Sequence, residues 1–372
     1  MSGRGRTCVL RILSFHGVSY RRDRLDARSP QLHLSMTAFI LNRIRVISSG
    51  GCVALVALLL LVAPSRLTAA SEKPSLAAAM TSGRVLVLGD SITQNGQYVS
   101  FLEYELKRHS PKASTDVISI GLSSETVSGL TEPGHPFPRP CVIERLDRAL
   151  KAVAPKVVFA CYGMNDGIYH PPSLERRAAF QQGLNQLISR VRAAGARLVL
   201  VTPPVFDALP IRARTVPLTT PAFGYTAPYV DYDGVLAEFA ATARALNATD
   251  VTVIDLHTAM RAAIHQRRTQ DMAFTYATDG VHPNDAGHLL IARTILQGLG
   301  YPEGSADADA ELKRTLADPL FALVKERREL RSETWLAYVG YQKGGGFKSD
   351  SVKAAERAAA RLQVEIDAVA AR

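Results

Sequence analysis

Short apolar runs alternate along the chain with longer segments of helical spacing. The runs are Arg84–Leu88, Asp116–Ile120, Val157–Tyr162, Arg197–Val201 and Val251–Asp255, and each is followed by Gly, Pro, Asp, Asn or Ser. Runs of this length, closed by turn residues, read as strands buried on both faces. Between them lie Tyr98–His109, Val142–Val153, Leu174–Ala194 and Asp233–Leu246, whose apolar positions recur with the helical period. Pro283-Asn284-Asp285 opens a further helix, Ala286–Leu299, and His257 stands at the start of another beside the sheet. Strands alternating with helices predict an α/β fold, a parallel sheet of about five strands with helices on both faces and right-handed crossovers.

Two long loops interrupt the pattern. Ser123–Cys141 contains His135-Pro136-Phe137-Pro138-Arg139-Pro140, and Thr202–Tyr232 contains six prolines. Both follow strand ends, so both are expected to overhang one edge of the sheet, where ligands bind in open α/β folds. Beyond Gly300 the composition turns to Ala, Arg, Glu and Lys with helical periodicity over 306–335 and 350–372, parted by a Gly-rich hinge at Tyr341–Phe347. The expected organisation is an N-terminal extension over 1–70, an α/β domain over 71–300 and a helical C-terminal extension over 301–372. The extension is read as a cap or tail, with partner binding as the alternative.

Charge refines the N-terminal end. The net charge is +10, and ten of the 44 basic residues but only two of the 34 acidic ones fall in 1–70. The remainder holds 34 basic and 32 acidic residues, so it shows no excess that would suit nucleic acid. Residues 52–63 are an apolar run, preceded by Arg43 and Arg45 and followed by Thr68-Ala69-Ala70. Basic flank, apolar core and small residues are the layout of a secretory signal, and Met36 is the expected true start. The run is short for a membrane span, which needs roughly 20 residues. Export to the periplasm or the exterior is therefore expected, with an uncleaved membrane anchor as the alternative. Cys8 and Cys52 fall before the expected cleavage site. Cys141 and Cys161 remain, and an exported setting permits but does not dictate their pairing. No Cys/His spacing suggests a metal site.

The chemistry sits at strand ends. Ser91 in Gly89-Asp90-Ser91 is a candidate nucleophile, although the tripeptide alone is equally an Asx turn or helix cap. No glycine stands at position 93, so this is not the Gly-x-Ser-x-Gly elbow. His282 in Asp279-Gly280-Val281-His282-Pro283 is a candidate base. Asp279, three residues earlier, can accept from the imidazole within one tight turn and fix its tautomer. Alone, that stretch is an Asp-Gly turn with an exposed histidine. Asn165, after the third strand, has an amide able to donate to a developing oxyanion, and alone is simply a turn residue.

Together, Gly-Asp-Ser near the start, Gly163-Met164-Asn165-Asp166 after the third strand and Asp-x-x-His-Pro-Asn near the end resemble the GDSL esterase/lipase family, the SGNH hydrolases. The resemblance covers roughly Arg84 to Leu299. It implies a flavodoxin-like three-layer α/β/α sandwich, a serine esterase or acylhydrolase, and no metal or cofactor. It implies nucleophile Ser91, base His282, orienting acid Asp279, and oxyanion donors at the Asn165 side chain and the Ser91 N–H. The family's second motif carries a donor glycine where this chain has Ser124, in Ser119-Ile120-Gly121-Leu122-Ser123-Ser124-Glu125-Thr126. Glycine tolerates dihedrals that serine resists. Either the local backbone suits Ser124 or the donor shifts, with Gly121 the second candidate.

His135, Arg139, Tyr169, His170, Arg176 and Tyr225 are expected to rim the site. An Arg- and aromatic-bearing rim suits a small-molecule or glycan ester, such as a carbohydrate O-acetyl group, better than a long lipid chain. The alternatives are a glycan- or ester-binding module without turnover, or an O-acyltransferase using the same acyl-enzyme. A histidine base predicts a rate that rises with pH through the imidazole pKa, about 6–7.

Overall fold

In the computed structural model the described residues are 76–113, 115–341 and 352–371. The N-terminal apolar segment, the expected cleavage site, Cys8, Cys52 and all of the Gly-rich hinge except Tyr341 lie outside them. The chain runs α1 (Leu76–Thr81), β1 (Arg84–Gly89), α2 (Ser91–Asn95), α3 (Gln97–His109), β2 (Asp116–Ser119), α4 (Val142–Val153), β3 (Val157–Cys161) and α5 (Leu174–Ala193). It continues with β4 (Arg197–Val201), α6 (Tyr232–Arg244), β5 (Val251–Ile254), α7 (Leu256–Arg268), α8 (Asp285–Gly298), α9 (Ala308–Leu316), α10 (Pro319–Val339) and α11 (Lys353–Ala370).

The strands form one parallel sheet in the order β2-β1-β3-β4-β5. This is the doubly wound, flavodoxin-like order, whose switch point falls between β1 and β3. Register explains why the strands read as unbroken apolar runs. Leu86 pairs with Ile118 and Val158, while Val85 pairs with Val117 and Val157. Successive side chains point to opposite faces. Leu86, Leu88, Ile118, Val158 and Leu198 therefore pack towards α4, α5 and α6. Val85, Val87, Val117, Val157 and Val199 pack towards α3, α7 and α8. Each helix meets its face with a matching stripe. On α4 the stripe is Val142, Leu146, Ala149, Leu150 and Val153, all buried. Burying one such Leu or Val side chain fully stabilises the fold by about 1.5–3 kcal/mol.

The C-terminal helices close one edge of the sheet. Leu320, Phe321 and Val324 of α10 join the core on the α3 side, while Trp335, Leu336 and Val339 join the core on the α4 side. Between these two ends α10 crosses the outer strand β2. Arg331 Nη1 donates to the Val117 carbonyl at 2.9 Å and pairs with Asp116 at 2.7 Å. Arg327 pairs with Glu103 on α3, and Glu356 of α11 accepts from Arg331 Nε at 3.0 Å. Arg327, Arg328 and Arg331 are each no more than 5% exposed. Arg327 and Arg331 face inward because carboxylates remote in sequence meet them, and Arg328 Nε donates to the Ser100 hydroxyl at 2.7 Å.

Cys141 and Cys161 are free thiols. His257 is buried and its Nε2 lies 3.1 Å from Asp233 Oδ1. His288, inside α8, is also buried, and burial lowers its pKa to about 4.

Candidate active site

The site is assembled at the C-terminal ends of β2, β1 and β3, with one further loop before α8. β1 ends at Gly89, and α2 begins at Ser91. Asp90 is the N-cap of α2, its Oδ1 accepting from the Ile92 N–H at 3.0 Å. The Asx turn and the nucleophile position thus coexist. Burial pushes the Asp90 carboxyl up to about 7, against the hydrogen bond from Ile92.

Two glycines make room for the turn that carries Ser91. A Cβ at Gly89 would stand 2.1 Å from Thr93 Oγ1 and 2.9 Å from the Cys161 carbonyl oxygen. A Cβ at Gly121 would stand 2.4 Å from the Gln94 nitrogen. Gly121 therefore has a packing reason to lack a side chain, separate from any role as a donor.

His282 Nε2 lies 2.8 Å from Ser91 Oγ, and His282 Nδ1 lies 2.6 Å from Asp279 Oδ2. The other oxygen of the same carboxylate accepts from the backbone N–H of His282 at 2.8 Å and of Val281 at 2.9 Å. One carboxylate thus fixes both the turn and the ring it carries. Gly280 allows this at φ +84, and its carbonyl accepts from the Asp207 N–H at 2.9 Å. Asp207 in turn accepts from Arg268 at 2.7 Å and from Thr275 at 2.6 Å, which braces the loop from behind. Partial burial alone would raise the Asp279 carboxyl, but the bonds from His282 and Val281 hold it well below the usual carboxylate range. The bond to Asp279 raises the pKa of His282, more than partial burial lowers it. The His282 and Asp279 side chains are 49% and 48% exposed, so the line of three opens to solvent.

Asn165 lies four residues past Cys161, the partner of Gly89 in the sheet, so it and Ser91 flank the switch point. Its Oδ1 accepts from Arg139 Nη1 at 2.9 Å and from Tyr169 Oη at 3.3 Å. Its Nδ2 donates one hydrogen to the Glu125 carbonyl at 3.2 Å. An amide nitrogen carries two, and the second remains for a developing oxyanion. Asp166, beside it, is scaffolding. Its Oδ1 accepts from Val127 and Ser128 N–H at 2.9 and 2.8 Å, tying the loop after β2 to the loop after β3. Burial pushes the Asp166 carboxyl up to about 6.

Ser124 adopts φ +67, the left-handed conformation that glycine accepts most readily. Its neighbours hold it there. Glu125 accepts from Arg145 Nε at 2.6 Å and from Tyr162 Oη at 2.7 Å, and its N–H closes a turn onto the Leu122 carbonyl at 3.0 Å. The local backbone thus holds the left-handed conformation, with serine bearing the strain. Ser124→Gly is therefore expected to keep turnover within about threefold of the wild type and to shift stability by no more than about 1 kcal/mol. Steady-state kinetics and a thermal melt check this. A tenfold rise in turnover would show that the serine side chain obstructs the hole.

The expected rim needs correction. Arg139 is only 5% exposed and pairs with Glu132, and Tyr169 is also 5% exposed and stacks on Tyr232 at 4.9 Å. Both lie beneath the surface because the Pro-rich loop folds inward over a buried carboxylate. Arg176 is engaged with the Pro171 carbonyl at 2.6 Å. What faces outward is Tyr225, 43% exposed, edge-on to His135 at 5.3 Å. His170 lies 5.5 Å from Phe223. The exposed Arg214, whose Nη2 reaches the Asp279 carbonyl at 3.4 Å, had no signal in the sequence. A cavity of about 550 Å³ between α3, α8 and α9 is lined by Tyr104, Arg108, Arg293 and Arg314, and none of Ser91, Asn165, Asp279 or His282 borders it.

Residues 87–290 match the model of the GDSL-like lipase/acylhydrolase family, and this chain belongs to that family. Membership places it among ester-hydrolysing enzymes. The chain is similar in structure to a gut microbial diltiazem-metabolizing enzyme at 20% identity and a TM-score of 0.46, over 59% of this chain and 47% of that one. It therefore spans about half the length of that enzyme. It is similar to an acetylxylan esterase from Geobacillus stearothermophilus at 20% identity and a TM-score of 0.44, over 61% of this chain and 99% of that one. No curated protein matches the sequence.

Proposed function

We propose that the protein is an exported serine esterase that removes short acyl groups, acetyl foremost, from carbohydrate esters. The observation that carries this reading is the hydrogen-bonded line from Ser91 through His282 to Asp279. In the proposed reaction His282 Nε2 takes the Ser91 proton while Oγ bonds to the ester carbonyl carbon. The carbonyl oxygen gains negative charge, which the second Asn165 Nδ2–H and the N–H groups of Ser91 and Ser124 meet. The tetrahedral species collapses as the bond to the alcohol breaks, and His282 returns its proton to the departing oxygen. An acyl group is left on Ser91. Water, deprotonated by His282, attacks that acyl carbon, the acid departs, and the proton returns to Ser91.

The short, polar substrate class rests on the mouth of the site. The histidine and aspartate are half-exposed. Tyr225, His135 and Arg214 offer aromatic faces and a guanidinium to a sugar. Export rests on the basic, apolar and small-residue sequence of Met36–Ala70.

A panel of p-nitrophenyl esters from acetyl to dodecanoyl, with acetylated xylooligosaccharides and an added sugar acceptor, tests the reading. The expected result is preference for acetyl, falling at least about tenfold by octanoyl, with free acetate as the product. A preference for octanoyl or longer would overturn the substrate class. Transfer of acetyl to the added sugar would assign the acyl-enzyme to acyl transfer.

A further inference from the structure

We propose that Arg139, clamped by Glu132, is the positioning residue that sets the oxyanion-binding face of Asn165, an inference that rests on the esterase reading above. A primary amide can sit in either of two flipped orientations, and only one presents N–H to an anion. The other would present oxygen and repel it. Something must therefore select the orientation.

The guanidinium has donors on every side and no acceptor. Arg139 Nε and Nη2 fork onto the two oxygens of Glu132, both at 2.6 Å. This fixes the plane of the group and directs Nη1 the other way. There Nη1 donates to Asn165 Oδ1 at 2.9 Å and reaches the Ser124 carbonyl at 3.5 Å. An Nδ2 group placed at the Oδ1 position would face a cation with its own hydrogens. The flipped amide is thereby excluded, and Nδ2 is turned towards the Glu125 carbonyl and the substrate side. The same guanidinium reaches the Ser124 carbonyl, so one cation bridges the loops after β2 and β3.

The surroundings keep the clamp rigid. Arg139 and Glu132 side chains are 2% and 1% exposed. The Arg139 N–H donates to Thr131 Oγ1 at 2.9 Å, and the guanidinium carbon lies 5.6 Å from the Tyr169 ring centroid. Glu132 Oε1 also accepts from the Tyr225 N–H at 3.3 Å. The pair thus joins the two long loops beside the amide. Glu132 neutralises the buried cation, so Arg139 acts through the direction of its donors and not as a free charge beside the substrate.

A double-mutant cycle tests this. kcat and KM for p-nitrophenyl acetate are measured for wild type, Arg139→Met, Asn165→Ala and the double variant. Loss of an oxyanion donor lowers kcat by about 10²–10³-fold, so misdirecting one is expected to lower it at least about tenfold, with KM within about threefold. In the Asn165→Ala background, Arg139→Met is expected to lower kcat by less than about twofold. Equal fold losses in both backgrounds, or wild-type kcat for Arg139→Met, would overturn the proposal. If Arg139→Met alone fails to fold, Arg139→Met with Glu132→Leu removes both buried charges together, and the same comparison is read in the two backgrounds. Ser91→Ala is run alongside. If it retained wild-type turnover, the esterase reading itself would fall, whereas loss there with an unaffected Arg139→Met overturns only the positioning role.

Discussion

Ser91→Ala is expected to lower the turnover of p-nitrophenyl acetate by about 10⁵–10⁶-fold, to the level left by the oxyanion donors and binding alone. That is about 7–8 kcal/mol of transition-state stabilisation. The structural cost is small by comparison. The Ser91 hydroxyl meets the half-exposed imidazole of His282 at 2.8 Å, a bond worth about 1 kcal/mol or less. The cap of α2 is made by Asp90, and its bond to the Ile92 N–H is untouched by the substitution. The melting temperature should move by no more than about 2–4 °C. Kinetics and a thermal melt on the same preparation separate the two effects. A variant with wild-type turnover would refute the nucleophile.

Asp279→Asn is expected to lower turnover by about 10³–10⁴-fold, and the reason lies in how the two carboxylate oxygens are used. Oδ1 accepts from the N–H groups of Val281 and His282, and Oδ2 accepts from His282 Nδ1. Asparagine has one oxygen. Two backbone donors hold it, so the NH₂ group falls to the imidazole. Nδ1 must then be the acceptor, Nε2 carries the proton, and that proton points at Ser91 Oγ. The ring can no longer take a proton from the serine. A second signature follows from charge. In the wild type the Asp279 bond raises the His282 pKa. The neutral, proton-accepting ring therefore dominates only above a pH higher than the ordinary imidazole value of about 6.5. kcat/KM should rise with pH through a midpoint above that value. With the carboxylate gone, the midpoint of the residual activity should fall. A midpoint that stayed in place would show that another group titrates.

The sequence made the strand ends legible because each is an apolar run closed by turn residues. That period sets the sheet, and the sheet sets where Ser91, Asn165 and the loop after β2 emerge. The turn from Asp279 to His282 was legible for a different reason, since three residues are few enough for one carboxylate to reach ring and backbone together. Arg139 was misread as a rim residue. Its burial depends on Glu132 closing the same Pro-rich loop inward, and nothing in the order of prolines gives that direction. The conformation of Ser124 was undecidable from its identity, because the residues that hold it, Arg145 and Tyr162, act through Glu125 from separate elements. The inward-facing arginines of α10 were not legible for the same reason. Glu103 and Asp116 meet them only once the sheet has formed.

That last contact bears on how copies of the molecule behave towards one another. A bare outer strand is a template on which another chain can continue the sheet. Here β2 holds out its Val117 carbonyl to Arg331 instead of to a neighbour, and α10 crosses the strand with apolar anchors at both ends. α10 thus stands where a further strand would pair, at the edge next to the strand that delivers Ser91.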